Sequence, residues 1–331
     1  MTRAGSRMDA AFMTDQDPVV ATLPAALRPY LEPDLPAWLQ TRWWSTHEEA
    51  LALGPGARIG WLDMMDKEAM VAAVNAASEL RWLSSMITGM EHLPLSDLKR
   101  RGVTVTNGAG INAITIAEYV VMGMLTIAKG YREVVQAQAR REWLRDAPGK
   151  VELAGSRALI LGYGAIGQLL TQRLQAFAVD VTVVRRRGDA SGAVLGPDQW
   201  RARLGEFDWI ILAVPATPDT LHLIGASELS AMKSSAVLLN VARGSVIDQD
   251  ALVQALQVRS IGAAFLDVMD PEPLPADHVL WSLDNAHVTM HLSGRSQDRM
   301  FERAARRFLD NLVRYRAGEA LQHQVDLSAG Y

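Results

Sequence analysis

A glycine-rich segment near the middle of the chain constrains the fold more than any other sequence feature. The apolar residues Ala158, Leu159, Ile160 and Leu161 run straight into the pattern G-x-G-x-x-G, formed by Gly162, Tyr163, Gly164, Ala165, Ile166 and Gly167. The first glycine permits a tight turn, the second lets the backbone approach a pyrophosphate, and the third lets the following helix pack closely on the strand. An amphipathic helical pattern and a second apolar run at 181–184 follow. Together these features predict a dinucleotide-binding site at residues 162–167.

Length and composition indicate a globular protein with two domains of ordinary size. The 331 residues are 49% hydrophobic and 21% charged. The net charge of −4 favours neither nucleic acid nor an anionic membrane as a partner. The chain has no cysteine, which excludes disulfides, thiolate catalysis and cysteine-bound metals. Residues 1–17 lack the apolar core of a signal peptide, and the longest apolar run, 119–128, is too short to span a bilayer. We therefore expect a soluble, cytoplasmic protein.

Short apolar runs alternate with helical patterns along the rest of the chain. Before the glycine-rich segment we predict strands at 19–23, 59–62, 81–87 and 103–106, helices at 67–80, 95–101 and 112–130, and short helices or loops among the prolines from 24 to 36. After it we predict strands at 209–214, 236–240, 261–267 and 287–290 and a last helix at 297–316. Continuous apolar strands are typical of sheets buried on both faces, so the predicted fold class is α/β with doubly wound parallel sheets.

Six motifs in a fixed order connect the chain to a known family. They are TGME at 88–91, the glycine-rich segment, VPATPDT at 214–220, NVARG at 240–244, LDVMDPEP at 266–273 and MHLSG at 290–294. With these motifs the chain resembles the D-isomer-specific 2-hydroxyacid dehydrogenases from about residue 81 onwards. The resemblance implies two Rossmann-like domains with a cleft between them. One is a flavodoxin-like substrate-binding domain, 1–111 and 294–331, and the other is an NAD(P)-binding domain, 112–293.

The reaction catalysed by that family requires three chemical groups in the active site. Reduction of a 2-oxo acid needs a cation for the carboxylate, a proton donor for the carbonyl oxygen and a hydride donor on the opposite face. The resemblance implies that Arg243 binds the substrate, that His291 is the general acid in reduction, and that Glu272 orients the imidazole. Taken singly, these residues also suit a surface ion pair, a structural histidine and a solvated turn. The other six histidines are interpreted as structural, including His287, which lies on the same predicted strand.

The resemblance also assigns contacts to substrate and cofactor. The substrate-binding residues are Thr88, Gly89, Arg243 and His291. The first two would offer backbone N–H groups to a carboxylate, and a plain turn is the alternative. The cofactor-binding residues are Gly162, Tyr163, Gly164, Ala165, Ile166, Gly167, Arg185, Arg186, Val214, Pro215, Thr220, Val241, Ala242, Arg243, Asp267, His291 and Gly294. Asp267 alternatively suits a helix N-cap or a turn. No metal-binding motif is present, and we expect no metal.

The end of the second strand of the dinucleotide fold distinguishes the two nicotinamide cofactors. NAD-binding sites place an acidic residue there, which accepts hydrogen bonds from the ribose 2′-hydroxyl. This chain has Arg185, Arg186 and Arg187 instead. Because guanidinium groups bind a phosphate through paired hydrogen bonds, we expect NADP(H) to be preferred, with NAD(H) possible. A solvated basic turn combined with loose use of NAD is the alternative.

The resemblance narrows the substrate without identifying it. The chain is similar to the NADPH-linked glyoxylate and hydroxypyruvate reductases, which makes these two acids the first candidates. Glu272 argues against formate, because formate enzymes of this fold carry Gln there, whereas a phosphite dehydrogenase-like enzyme stays open. A protein of a different class, an NAD(H)-sensing co-repressor-like binding protein, is a further alternative. We expect a homodimer formed through the cofactor domain by the apolar helix 112–130, which alternatively is an internal core helix.

Overall fold

The computed structural model describes residues 18–90, 92–185 and 193–328. The chain divides into two compact units. The first, here called the terminal unit, comprises Met1–Ile111 and Asp298–Tyr331. The second, the central unit, comprises Asn112–Gln297. The first boundary is the one expected from the sequence, and the second lies four residues after the expected position.

The terminal unit is built on one parallel five-stranded sheet in the order β2-β1-β3-β4-β5. This is the strand order of the flavodoxin-like folds. The strands are β1 (Val19–Pro24), β2 (Leu39–Trp44), β3 (Ile59–Trp61), β4 (Trp82–Ser84) and β5 (Thr104–Thr106). The helices are α1 (Arg28–Leu31), α2 (His47–Leu53), α3 (Lys67–Ala76), α4 (Leu95–Arg100) and, from the end of the chain, α10 (Met300–Arg316), with 3₁₀ turns at Ala25–Leu27 and Glu32–Asp34.

Local signals in the sequence account for most of these boundaries. Helix α2 begins after Thr46, whose hydroxyl accepts from the Glu49 N–H while the Glu49 carboxylate accepts from the Thr46 N–H. Helix α3 begins after Asp66, whose carboxylate accepts from the first-turn N–H groups. It ends four residues before the expected position, because Ala77 leaves the helical conformation and Leu80 turns into the core.

The sequence patterns do not predict one strand of the terminal unit, β2. Strand β2 lies at the edge of the sheet, and only its first and last residues, Leu39 and Trp44, are buried. An edge strand with little burial carries neither a continuous nor an alternating apolar run, so its pattern resembles that of a loop.

The last helix, α10, packs in the centre of the terminal unit. Phe308 lies between Trp61 and Trp82, with ring centroids 5.3 and 4.9 Å apart.

The central unit contains a parallel seven-stranded sheet in the order β12-β11-β10-β9-β6-β7-β8. Its strands are β6 (Arg157–Leu161), β7 (Asp180–Val184), β8 (Val194–Leu195), β9 (Trp209–Leu212), β10 (Val237–Asn240), β11 (Ala263–Leu266) and β12 (Ala286–Val288). Its helices are α5 (Ala113–Ala128), α6 (Tyr131–Ala139), α7 (Ala165–Ala176), α8 (Ala226–Ala231) and α9 (Gln249–Gln257), with 3₁₀ turns at Arg201–Glu206, Pro218–Thr220, Gly244–Val246 and Val279–Trp281. Strands β9, β10 and β11 are wholly buried, as their continuous apolar runs predict.

The strand order of the central sheet determines where a ligand can bind. Numbered from β6, the order is the 3-2-1-4-5-6 of dinucleotide-binding folds with one strand added. The order reverses between β6 and β9, and ligands of such sheets bind outside the carboxyl ends of the strands at that point. The predicted α/β class with two Rossmann-like domains is thus confirmed, and the glycine-rich segment lies at the reversal.

Helix α5 packs one face on the central sheet. A side chain at Gly123 would approach the Phe265 ring to 2.8 Å, so the glycine permits this close packing. Among the described residues, no single helix combines the length and apolar composition needed to cross a membrane. Helices α5 and α6 meet these two criteria only as a pair, and the pair is bent by 70°.

Candidate active site

The glycine-rich turn follows β6 directly, and its three glycines have different surroundings. Gly162 has a φ of +108°, and a Cβ there would lie 2.4 Å from the carbonyl oxygen of Ala213, which follows β9. A Cβ on Gly167 would lie 2.1 Å from the Gly162 carbonyl oxygen. A Cβ on Gly164 would meet no protein atom within 4 Å. Two glycines therefore satisfy internal packing, whereas the third faces open space.

The N-terminus of α7 opens into this space. Gly164 is its N-cap, and no side chain of the described residues caps the first turn. The first N–H groups of a helix have no partner within the helix and form the positive end of its dipole, so they favour a phosphate. The residues present thus fit a dinucleotide: Gly164, Ala165 and Ile166 would hold its pyrophosphate.

These contrasting glycines yield a paired prediction. Gly167→Ala is expected to destabilise the protein by about 3 kcal/mol, because the added methyl group collides with backbone rather than with a flexible side chain. Gly164→Ala is expected to keep the melting temperature but to weaken dinucleotide binding ~10-fold, because the methyl group occupies the space left for the pyrophosphate. Thermal unfolding and fluorescence titration measure the two effects. Equal dinucleotide affinity in Gly164→Ala and in the unaltered protein would contradict the assignment.

The loop after β9 lies beside this turn. The Thr220 hydroxyl donates to the Pro215 carbonyl oxygen at 2.7 Å and accepts from the Thr217 N–H at 2.8 Å. These bonds close the loop that carries Val214 at the carboxyl end of β9. The hydroxyl of Thr220 is thereby engaged within the loop, and the contacts of Val214, Pro215 and Thr220 with a cofactor stay predictions.

The carboxyl end of β7 holds the basic residues expected to select the cofactor. Arg185 follows Val184, the last residue of the strand, and is exposed. Its backbone N–H donates to the Leu195 carbonyl oxygen at 3.1 Å, which ties it to the neighbouring strand β8. Arg186 and Arg187 lie outside the described residues. The structure therefore places a cation at the position where NAD-binding folds carry a carboxylate.

Arg243 lies on a turn whose shape is set by the buried residue Asn240 at the end of β10. The Asn240 amide donates to the Arg243 carbonyl oxygen at 2.9 Å and accepts from the Ala242 N–H at 3.0 Å. Gly244 follows, and a Cβ there would lie 2.0 Å from the backbone of Met269. Gly244 therefore lets the turn that carries Arg243 pack against the loop that carries Glu272.

Glu272 and His291 form a pair 19 residues apart in sequence. The His291 Nδ1 lies 2.7 Å from the Glu272 Oε2, and the other carboxylate oxygen accepts from the Met269 N–H at 3.0 Å. Both side chains are partly exposed, at 44% for His291 and 34% for Glu272. The carboxylate thus contacts the imidazole at Nδ1 and leaves Nε2 facing away from its partner, and the orienting role of Glu272 stays a prediction.

Asp267 holds the loop on which His291 lies. It is 1% exposed and follows β11. Its carboxylate accepts from the Thr289 hydroxyl at 2.8 Å, the Leu292 N–H at 2.9 Å and the Ser293 N–H at 3.2 Å, and also from the Ser293 hydroxyl. Between these bonds, Met290 and His291 both have a φ of +55°, the left-handed region that such residues seldom adopt. The buried carboxylate stabilises this unusual backbone and so positions His291.

The predicted substrate loop lies in the terminal unit, at the carboxyl end of β4. The expected strand 81–87 ends at Ser84, and the chain continues as a loop past Thr88 and Gly89. The Thr88 carbonyl oxygen accepts from the Asn107 side chain at 3.0 Å. Within the described residues, the N–H groups of Thr88 and Gly89 donate to no acceptor. They are therefore available to an anion.

The remaining candidates separate into two groups. Val241 and Ala242 are buried in the turn before Arg243, and Gly294 lies against Asn112. Their contacts with a cofactor stay predictions. His287 lies on β12, close in sequence to His291. Burial and the nearby Arg132 lower the pKa of His287 to about 4, so its side chain is uncharged at neutral pH. Among the described residues, no three metal-ligating side chains of the His, Asp and Glu types cluster together.

Sequence reasoning missed the residues that shape the site without entering it. In the sequence Asn240 is only part of the NVARG motif, and Asp63, which contacts the substrate loop, lies in none of the six motifs. Both are polar residues at or just beyond the carboxyl end of an apolar strand. That position was the available signal, since such residues are placed where an open α/β sheet binds ligands.

Comparisons with known proteins show similarity over most of the chain. The family model for the D-isomer specific 2-hydroxyacid dehydrogenase NAD binding domain matches residues 121–293. A glyoxylate reductase of Thermofilum pendens is 32% identical over 270 residues, covering 78% of this chain and 77% of that protein. A glyoxylate reductase/hydroxypyruvate reductase of Mus musculus is 31% identical over 275 residues, covering 80% and 82%.

Solved structures extend the similarity to nearly the whole chain. A D-isomer specific 2-hydroxyacid dehydrogenase family protein from Aeromonas salmonicida superposes with a TM-score of 0.83 at 29% identity, covering 94% of this chain and 99% of that chain. A D-isomer specific 2-hydroxyacid dehydrogenase from Xanthobacter autotrophicus, solved with NADPH and MES, superposes with a TM-score of 0.74 at 25% identity, covering 95% and 100%.

Proposed function

The chain belongs to the D-isomer-specific 2-hydroxyacid dehydrogenase family and is an NAD(P)-dependent oxidoreductase, and from this premise we propose that it reduces a small 2-oxo acid with NADPH. The favoured substrates are glyoxylate and hydroxypyruvate, the acids named for the relatives from Thermofilum pendens and Mus musculus. The observation that carries the proposal is the Glu272–His291 pair, which lies at the carboxyl edge of the central sheet.

In this proposal the imidazole of His291 is the acid–base group. Glu272 engages Nδ1, so Nε2 is the atom that gives a proton to the carbonyl oxygen in reduction and takes it back in oxidation. The chemistry that a bound nicotinamide supplies is hydride transfer.

The substrate carboxylate is assigned to two kinds of donor. Arg243 offers a planar guanidinium, which binds a carboxylate through two parallel hydrogen bonds. The N–H groups of Thr88 and Gly89 offer a second, uncharged set of donors. We propose that these donors hold the 2-oxo acid in one orientation, so that it is reduced to one stereoisomer.

An assay with a panel of substrates tests the proposal directly. The loss of NADPH absorbance is followed with glyoxylate, hydroxypyruvate, pyruvate and longer 2-oxo acids, and the formation of NADPH is followed in a separate assay with NADP and phosphite. We expect turnover with the small 2-oxo acids and none with phosphite. Tight NADPH binding without turnover of any 2-oxo acid would favour a cofactor-sensing binding protein instead.

The preference for NADPH is attributed to the basic residues after β7. Arg185→Asp is expected to raise the KM for NADPH ~10- to 100-fold and to leave that for NADH nearly unchanged, because a charged hydrogen-bond partner of the 2′-phosphate is replaced by a repelling group. Steady-state kinetics with both cofactors measure the shift.

The matched control for this shift is Arg259→Asp. Arg259 is exposed and precedes β11, so it lies at the amino ends of the parallel strands, whereas Arg185 lies at the carboxyl end of β7. Its replacement is expected to change neither KM. If the affinity for NADPH survives replacement of both Arg185 and Arg186, the assignment of the cofactor preference is wrong.

We propose further that the protein is a homodimer formed through the central unit. Helix α5 buries one face on the sheet, whereas Met122, Tyr131, Val134 and Val135 on α5 and α6 are exposed. Neighbouring exposed apolar side chains favour burial against another chain. Sedimentation equilibrium measures the mass, and a monomer at micromolar concentration would contradict the proposal.

A further inference from the structure

A partly buried carboxylate of the terminal unit lies beneath the loop that carries Thr88 and Gly89. Asp63 is the second residue after β3, and the loop begins directly after the neighbouring parallel strand β4. Neither the glycine-rich site nor the Glu272–His291 pair involves this residue. We propose that Asp63 is a positioning residue for substrate binding, which holds the loop so that the N–H groups of Thr88 and Gly89 point at the substrate carboxylate.

Three hydrogen bonds tie Asp63 to its surroundings. The Ser85 hydroxyl donates to Oδ1 at 2.6 Å, and the Met86 N–H donates to Oδ2 at 2.6 Å. The indole N–H of Trp61 donates to the same Oδ2 at 2.8 Å. Trp61 is itself buried in the core, so its indole N–H holds the carboxylate in place. The carboxylate in turn holds the first two residues of the loop, Ser85 and Met86.

The effect of Asp63 passes along the loop through Ser85. The oxygen of the same Ser85 hydroxyl accepts from the Ile87 N–H at 3.0 Å. Asp63 and Ser85 together therefore satisfy the N–H groups of both Met86 and Ile87. The next two N–H groups, those of Thr88 and Gly89, are the ones that donate to no acceptor within the described residues.

The opposite side of the loop is held by the segment after β5. The Gly108 N–H donates to the Ile87 carbonyl oxygen at 2.8 Å, and the Asn107 side chain donates to the Thr88 carbonyl oxygen at 3.0 Å. A Cβ on Gly108 would lie 1.9 Å from the Met86 carbonyl oxygen, so the two segments pack with no room for a side chain. The loop is therefore held on both sides, whereas the N–H groups of Thr88 and Gly89 have no acceptor among the described residues.

The environment of Asp63 supports a role in holding the loop. Burial raises the pKa of Asp63, and the hydrogen bonds from Ser85, Met86 and Trp61 act in the opposite direction. A carboxylate in such a site costs free energy unless its hydrogen bonds are made. The three donors offset that cost, and they are the same groups that define the loop.

The inference rests on the proposed function, because it assumes that Thr88 and Gly89 bind the 2-oxo acid. Asp63→Ala is expected to raise the KM for the 2-oxo acid ~10- to 100-fold, because Met86 and Ile87 lose their ordered partners and the loop no longer presents its N–H groups in one geometry. The kcat and the dissociation constant of NADPH are expected to stay within about threefold, because the Glu272–His291 pair and the glycine-rich turn are unaltered. Asp63→Asn keeps an acceptor and is expected to recover most of the affinity.

The matched control is Asp66→Ala, three residues along the chain. Asp66 is exposed and caps α3, so its loss destabilises the same unit without touching the loop. It is expected to lower the melting temperature and leave the KM unchanged. If Asp63→Ala does not fold, Ser85→Ala carries the test, since it removes the bond to Ile87 and is expected to raise the same KM ~5-fold.

The outcomes separate this inference from the function on which it rests. Absence of turnover in the unaltered enzyme contradicts the proposed function. Turnover in the unaltered enzyme, together with an unchanged KM in Asp63→Ala or in Ser85→Ala, contradicts the positioning role alone. An equal rise of KM in Asp63→Ala and Asp66→Ala would also overturn it, because a general loss of stability would then explain both.

Discussion

Replacement of His291 by Asn is expected to lower the kcat for reduction of 2-oxo acids by ~10³-fold, since general acid–base catalysis commonly contributes ~10²- to 10⁴-fold. The amide of Asn cannot transfer the proton that the carbonyl oxygen requires. NADPH binding is expected to change far less than kcat, because the glycine-rich turn follows β6 and only one of the predicted cofactor contacts is altered. Stopped-flow kinetics and titration of NADPH fluorescence measure the two quantities.

The choice of Asn follows from the backbone at His291. This residue has a φ of +55°, and Asn tolerates the left-handed region better than most residues do. His222 offers a matched control, because it is also exposed and has a φ of +48° in the same unit. His222→Asn therefore makes the same chemical change on a similar backbone and is expected to keep full activity. Comparable kcat values for the two variants would remove His291 from the mechanism.

Loss of the Asp267 carboxylate is expected to have the second largest effect. Asp267→Ala leaves the N–H groups of Leu292 and Ser293, the second of which is buried, without their acceptor, which is expected to cost about 3 kcal/mol of stability. The loop is then free to leave the left-handed conformation at Met290 and His291. We expect kcat to fall ~100-fold, because the imidazole is no longer held beside Glu272.

The measurement distinguishes the two roles considered for Asp267. A loss of kcat and melting temperature with unchanged NADPH affinity indicates that Asp267 positions the histidine loop. A loss of NADPH affinity at unchanged kcat indicates the direct cofactor contact predicted from the sequence. The exposed Asp270, three residues along, serves as the control, and Asp270→Ala is expected to change neither quantity.

Much of the central sheet could be predicted because its strands are buried on both faces. A strand such as β10 must be apolar along its whole length, so its position is visible in a single sequence. The glycine-rich turn is visible for a similar reason, since Gly162 and Gly167 approach backbone at distances that no side chain permits. Strand β2 was missed because an edge strand has neither constraint.

The candidate site shows the same division more sharply. The sequence by itself determined the fold class, the family and the motif positions of Arg243, Glu272 and His291, because each motif joins a buried strand to a residue type with a definite chemistry. The contact of Glu272 with His291 was implied by the resemblance, and only the tertiary structure decided that Asp267 holds the histidine loop and that Asp63 holds the loop of Thr88 and Gly89. The physical reason is that hydrogen bonds between separate strand ends depend on how the strands are ordered in a sheet, and strand order leaves no local pattern in the chain.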